Sequence, residues 1–139
     1  MKPRKSWVEK RKTAKEPLIK TLEKKFADMP EGSRMLIASP KIVNAYVREI
    51  PFGTAVPFAL LRKDLAAQHH ATHTCPVTTG IYLRTVAEAA WEEHLAGKHL
   101  DEVAPFWRIV DHKSKLAGKL TCGVDFIKQQ RDKENIKEV

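Results

Sequence analysis

Pro105-Phe106-Trp107-Arg108 sets two large aromatic rings and a guanidinium side by side. Flat rings beside a guanidinium suit an unstacked nucleobase, which is held by stacking and cation–π contact. The same rings could equally supply core area, the ordinary use of large aromatics. The β-branched pair Ile109-Val110 suits a short strand, so the stretch reads as a loop or strand, followed by the polar turn Asp111-His112-Lys113-Ser114. A second cluster, His69-His70-Ala71-Thr72-His73-Thr74-Cys75, holds four side chains able to ligate a metal. Its spacing fits no common zinc pattern and no second cysteine pair supports it. A polar connector is therefore expected there, with no metal and no other cofactor. Its histidines would add positive charge at mildly acidic pH.

These groups sit in a chain of 139 residues, 42% hydrophobic, with a net charge of +8. That length and apolar content predict one soluble domain with a real core. The basic balance points to an anionic partner, nucleic acid before a membrane surface. No segment is long and apolar enough for a membrane span, and no apolar leader run is apparent. Two cysteines, Cys75 and Cys122, make no disulfide framework, so a reducing, cytoplasmic setting is expected. Nothing demands a dimer, and a monomer is the expectation.

The elements that must position the candidate residues follow from spacing and punctuation. Residues 1–15 read as a basic flexible arm, in which Lys2, Arg4, Lys5, Lys10, Arg11, Lys12 and Lys15 face the single acid Glu9. The arm would follow phosphates or remain solvated, and Trp7 and Val8 could dock on something. Residues 16–38 read as an N-terminal helical extension. Leu18, Ile19, Leu22 and Phe26 recur at helical spacing after Pro17, Pro30-Glu31-Gly32-Ser33 stops the run, and Met35-Leu36-Ile37-Ala38 follows as a short strand or buried connector.

Ser39-Pro40 caps and starts the next helix, which ends at Ile50-Pro51-Phe52-Gly53. Pro57 starts another, with Phe58, Leu61 and Leu65 on one face. Pro76 opens a long helix to about Leu95, with Gly97 as its cap. Along it Leu83, Val86, Ala87 and Ala90 form a buried stripe, with Thr78, Thr79, Tyr82 and Thr85 nearer the other side. Glu88, Glu92 and Glu93 make its far end acidic, so only the N-terminal half suits phosphates. Lys115 to Gly118 reads as a turn, and a last helix runs from about Gly123 to Asp132. The expected fold is mainly α with a small β element, and Pro57 to Leu95 has the helix–connector–helix order of a helix-turn-helix.

Three stretches in this order resemble the DNA-binding domain of the O6-alkylguanine-DNA alkyltransferases. Ile50-Pro51-Phe52-Gly53-Thr54-Ala55-Val56-Pro57-Phe58 resembles its opening Ile-Pro-x-Gly turn and helix start. Pro105-Phe106-Trp107-Arg108-Ile109-Val110 resembles its Pro-Cys-His-Arg-Val active-site strand. Lys115-Leu116-Ala117-Gly118, then Phe126-Ile127-Lys128-Gln129-Gln130, resembles its turn and final helix. The resemblance covers residues 39–139 and implies a winged helix-turn-helix-like domain. The acceptor cysteine falls on Phe106 and the histidine on Trp107, and neither can supply an activated thiolate. Use of Cys75 or a metal at the histidine cluster would be an enzymatic alternative.

What is implied instead resembles the alkyltransferase-like proteins, which bind O6-alkylguanine in duplex DNA, flip the base, and pass the lesion to nucleotide excision repair proteins without alkyl transfer. Phe106 would cap the alkyl pocket. Phe58 takes the place of the tyrosine that helps rotate the nucleotide. Arg108 would support the site through hydrogen bonds, with a DNA contact as the alternative. The finger arginine of the family falls near Thr79, and Arg84 is the nearest candidate, unless it pairs with Glu88 at i,i+4. Thr78, Thr79 and Gly80 would lie against DNA, with Gly80 either a contact or a helix-packing glycine. A general DNA- or RNA-binding module with the aromatic pair in its core is the alternative.

Overall fold

The computed structural model describes residues 6–12 and 16–136. It is mainly helical, with one small three-stranded sheet. In chain order the elements are α1 (Trp7–Arg11), β1 (Leu18–Thr21), β2 (Arg34–Ile37), α2 (Pro40–Arg48), α3 (Phe58–Gln68), β3 (His73–Thr74), α4 (Pro76–Leu95), α5 (Lys115–Lys119) and α6 (Val124–Lys133). No helix among the described residues is long and apolar enough to cross a membrane.

The central helices start where local chemistry places them. Ser39 Oγ accepts from the Ile42 N–H and Pro40 takes the first turn of α2. Pro76 opens α4, and Gly97 follows its end with φ near +117°, a conformation that favours glycine. The core lies between α2, α3 and α4, with Val43, Val47, Leu61, Leu65, Leu83 and Val86 nearly or fully buried.

The expected helix over Glu16–Ala27 is not formed. Leu18 to Thr21 is a strand that pairs antiparallel with β2, Leu18 opposite Ile37 and Thr21 opposite Arg34. The helical spacing of Leu18, Ile19, Leu22 and Phe26 was misleading because only Leu22 finds a core to enter. Leu22 joins Met29, Met35 and Cys75 in a small apolar cluster. Ala27 turns the chain at φ near +51°, and Phe26 and Met29 exchange backbone hydrogen bonds across that turn. β2 also pairs in parallel with β3, so the 16–38 stretch is built into the sheet rather than appended as a helical extension. Asp28 fastens it to α3 through two hydrogen bonds with the Arg62 guanidinium, which hold its carboxyl down at about 2.

Three further expectations change. Phe106 to Arg108 forms a single tight helical turn, not a strand. Its backbone bonds close locally, with the Ile109 and Val110 N–H groups both donating to the Phe106 carbonyl. Lys115 to Lys119 is a short helix capped by Ser114, whose Oγ accepts from the Ala117 N–H. Within the predicted flexible arm, residues 7–11 form α1, which docks on α4, while 1–5 and 13–15 lie outside the described residues.

Candidate functional site

The cleft is built at the N-terminal half of α4. One wall is Ala55, Val56, Pro57 and the Phe58 ring at the start of α3. The facing wall is Val77, Gly80, Ile81 and Arg84, successive turns of one α4 face. The third side is the segment from Ile109 through Ser114 with Leu116 and Lys119 of α5, and Arg131 of α6 contributes to the lining. Its volume is about 840 Å³. Val77 and Ile81 are more than half exposed there, an unusual placement for β-branched apolar residues unless something covers them.

The charge in the cleft is mostly positive. Arg84, Lys113, Lys119 and Arg131 line it, against one acid, Asp111. Arg131 is buried, its Nη1 donates to the Trp107 carbonyl at 2.8 Å, and its Nε has no hydrogen-bond partner among the described residues. It makes no ion pair among them either. A buried guanidinium without a counter-ion leaves the cleft floor electropositive. Arg131 was missed from the sequence, although its place four residues after Ile127 on the inward face of α6 marked it as buried.

The proposed aromatic pair is placed elsewhere. Phe106 is 1% exposed and Trp107 3% exposed, and neither lines the cleft. Phe106 stacks on Phe126 at 6.2 Å between centroids and meets Trp107 edge-on at 5.4 Å. The expectation that Phe106 caps a pocket is therefore corrected: its ring fills the core, and Ile109 and Val110 face the cleft in its stead. Trp107 Nε1 donates to Glu134 Oε2 at 2.6 Å.

Arg108 is held by hydrogen bonds on both sides. Its Nε donates to Glu134 Oε1 and its Nη1 to the Ile50 carbonyl. Glu134 also accepts from the Gly53 N–H, so one carboxylate ties the Ile50–Thr54 turn, the aromatic turn and the end of α6 together. Burial alone would raise that carboxyl. Its donors, Arg108 foremost, outweigh burial and hold it below the usual carboxylate range.

The α4 candidates divide. Gly80 and Arg84 line the cleft. A Cβ at Gly80 would meet nothing within 4 Å, so this is not a helix-packing glycine; its bare backbone faces open space. Thr79 points inward, with Oγ1 donating to the Cys75 carbonyl at 2.6 Å, and its burial corrects the expectation that it lies against DNA. Thr78 is half-buried and lies outside the cleft lining. The Arg84–Glu88 pair does not form. Glu88 is buried and accepts from the Thr121 N–H and hydroxyl instead.

Neither cysteine lines the cleft. Burial pushes the Cys122 thiol up to about 11, with Glu88 adding to the effect, so it is a poor nucleophile near neutral pH. Cys75 is buried at the start of α4. Among the described residues no three His, Cys, Asp or Glu side chains are gathered to share a metal ion. His73 instead sits in β3, its Nδ1 3.0 Å from Thr72 Oγ1.

Comparison of the chain with family models, with curated proteins and with solved structures returned no match. The resemblance to the alkyltransferase domain stands on its three motifs.

Proposed function

We propose that the protein is a non-catalytic nucleic-acid-binding protein that receives an unstacked base in the cleft beside α4, O6-alkylguanine in duplex DNA being the base its motifs favour. The observation that carries the reading is an apolar slot rimmed by cations: Phe58, Val77 and Ile81 offer flat or smooth apolar contact, and Arg84, Lys113 and Lys119 offer charge for phosphates. In this reading α3 and α4 are the paired helices of a winged helix-turn-helix, and the open backbone of Gly80 lets the strand approach closely. The acidic far end of α4 is turned to internal partners, which keeps it from opposing phosphates. Holding a flipped base needs no covalent step.

The burial of Phe106 favours a second reading, nucleic-acid binding without lesion choice. Fluorescence-anisotropy titration of short duplexes with and without one O6-methylguanine, at one fixed salt concentration, separates the two. A preference of about tenfold, roughly 1.4 kcal/mol, supports the lesion reading. Equal, tight binding leaves the general one, and no binding to either duplex removes the lesion reading and leaves RNA as the partner to test.

A further inference from the structure

Five residues are too few to hold a helix in water. α1 exists because α4 completes it. Glu92 accepts from the Trp7 N–H at 3.0 Å and from the Val8 N–H at 3.1 Å, so its carboxylate caps the helix from outside. Arg11 pairs with Glu93, which burial would push up but which Arg11 and Lys98 hold down at about 2.

This docking sets the Trp7 indole beside Arg84, a residue of the cleft lining. Arg84 Cζ lies 5.5 Å from its ring centroid and Lys10 Nζ lies 4.2 Å from it, both within cation–π range. Two like charges are thus gathered on one ring. The nearby carboxylates of α4 are spent elsewhere: Glu88 on Thr121, Glu92 on the α1 backbone, Glu93 on Arg11 and Lys98. Neither Lys10 nor Arg84 makes an ion pair among the described residues, and Arg84 Nε is buried with no hydrogen-bond partner. Arg84 also lines the cleft. The arrangement lacks an anion among the described residues, and through Arg84 it adjoins the cleft.

We infer that Lys10 and Arg84, held on the Trp7 ring, form a phosphodiester-binding subsite adjoining the cleft, with Trp7 as the positioning residue. The inference rests on the nucleic-acid reading above. It gives the N-terminal segment a defined place in the site: one part of it forms the wall that aims Arg84.

The test is a salt titration of duplex binding by the full chain between about 50 and 200 mM, where each lost phosphate contact lowers the slope of log K against log salt by about one. Arg84→Ala and Lys10→Ala are each expected to lower that slope by about one. Trp7→Ala is expected to weaken binding, and Trp7→Phe to restore it. In the Lys10→Ala/Arg84→Ala double background, Trp7→Ala should cost little more, because both residues it positions are gone. Lys10→Ala is an exposed change that leaves the fold intact, so its slope reads the subsite even if Trp7→Ala undocks α1. Wild-type slopes in Lys10→Ala and Arg84→Ala, or an undiminished loss for Trp7→Ala in the double background, overturn the subsite alone. A wild-type chain that binds no duplex at any salt overturns it together with the lesion reading.

Discussion

Two regions of this molecule are made of similar side chains and are used in opposite ways. The turn Phe106-Trp107-Arg108 carries rings and a guanidinium, and all three are locked to Phe126, Glu134 and the Ile50 carbonyl. The cleft and the subsite adjoining it carry rings and guanidinium too, in Phe58, Trp7 and Arg84, and there the polar groups are left with capacity to spare. Residue type therefore does not distinguish the locked turn from the open cleft; unfilled hydrogen-bonding and open apolar surface do.

The contrast breaks first at Phe106. Phe106→Ala should cost about 3–5 kcal/mol, since it empties a fully buried ring position, and denaturant unfolding will read it. A folded, stable Phe106→Ala chain would put the turn back among the candidate contacts. Glu134→Ala is next, at about 3 kcal/mol, because it leaves the Arg108 guanidinium and two N–H donors without their acceptor. The same carboxylate makes the clasp acid-sensitive. Its pKa is lowered on folding, so its contribution is present above the ordinary carboxylate pKa of about 4.3 and is lost as pH falls through the folded value. Unfolding midpoints measured down to acid pH should fall more steeply in the wild type than in Glu134→Gln.

On the cleft side the expected stability effects shrink or change sign. Gly80→Ala should stabilise by about 0.5–1 kcal/mol, since its methyl meets no neighbour and alanine favours the helix. It should nevertheless weaken duplex binding, because that methyl stands in the cleft. A Gly80→Ala chain with unchanged affinity would say that no ligand approaches α4 there. The smallest stability change is Ile81→Ser, within about 0.5 kcal/mol for an exposed position, with any loss appearing only in the binding titration.

Much of the fold was legible wherever local chemistry decides. Ser39-Pro40 announced α2, Pro76 announced α4, and the apolar run Met35 to Ile37 belongs to β2. What was not legible depended on distant partners. β1 carries helical spacing, but its backbone is claimed by β2, and only the three-dimensional position of the Leu22, Met29, Met35 and Cys75 cluster explains why. α1 looked like a charged tail because, beyond its local Ser6 cap, the acceptor for the Trp7 and Val8 N–H groups is the distant Glu92. The site was half legible. Phe58, Gly80 and Arg84 were named from the motifs and do line the cleft, whereas Thr79 and the aromatic pair turned inward. Val77, Ile81 and Arg131 went unnoticed, because apolar residues in a helix ordinarily signal core and a cation in a terminal helix ordinarily signals solvent.

The acceptor for the Trp7 N–H lies 85 residues along the chain, and the Glu134 clasp reaches back 81 residues to Gly53. During synthesis the segment that becomes α1 therefore leaves the ribosome with no acceptor to complete it, and it waits until most of α4 has followed. The turn at Gly53 waits longer, until the end of α6 emerges. Elements made early are thus placed late. Contacts of such long sequence separation slow the final closure of the domain relative to a bundle with neighbour-to-neighbour packing.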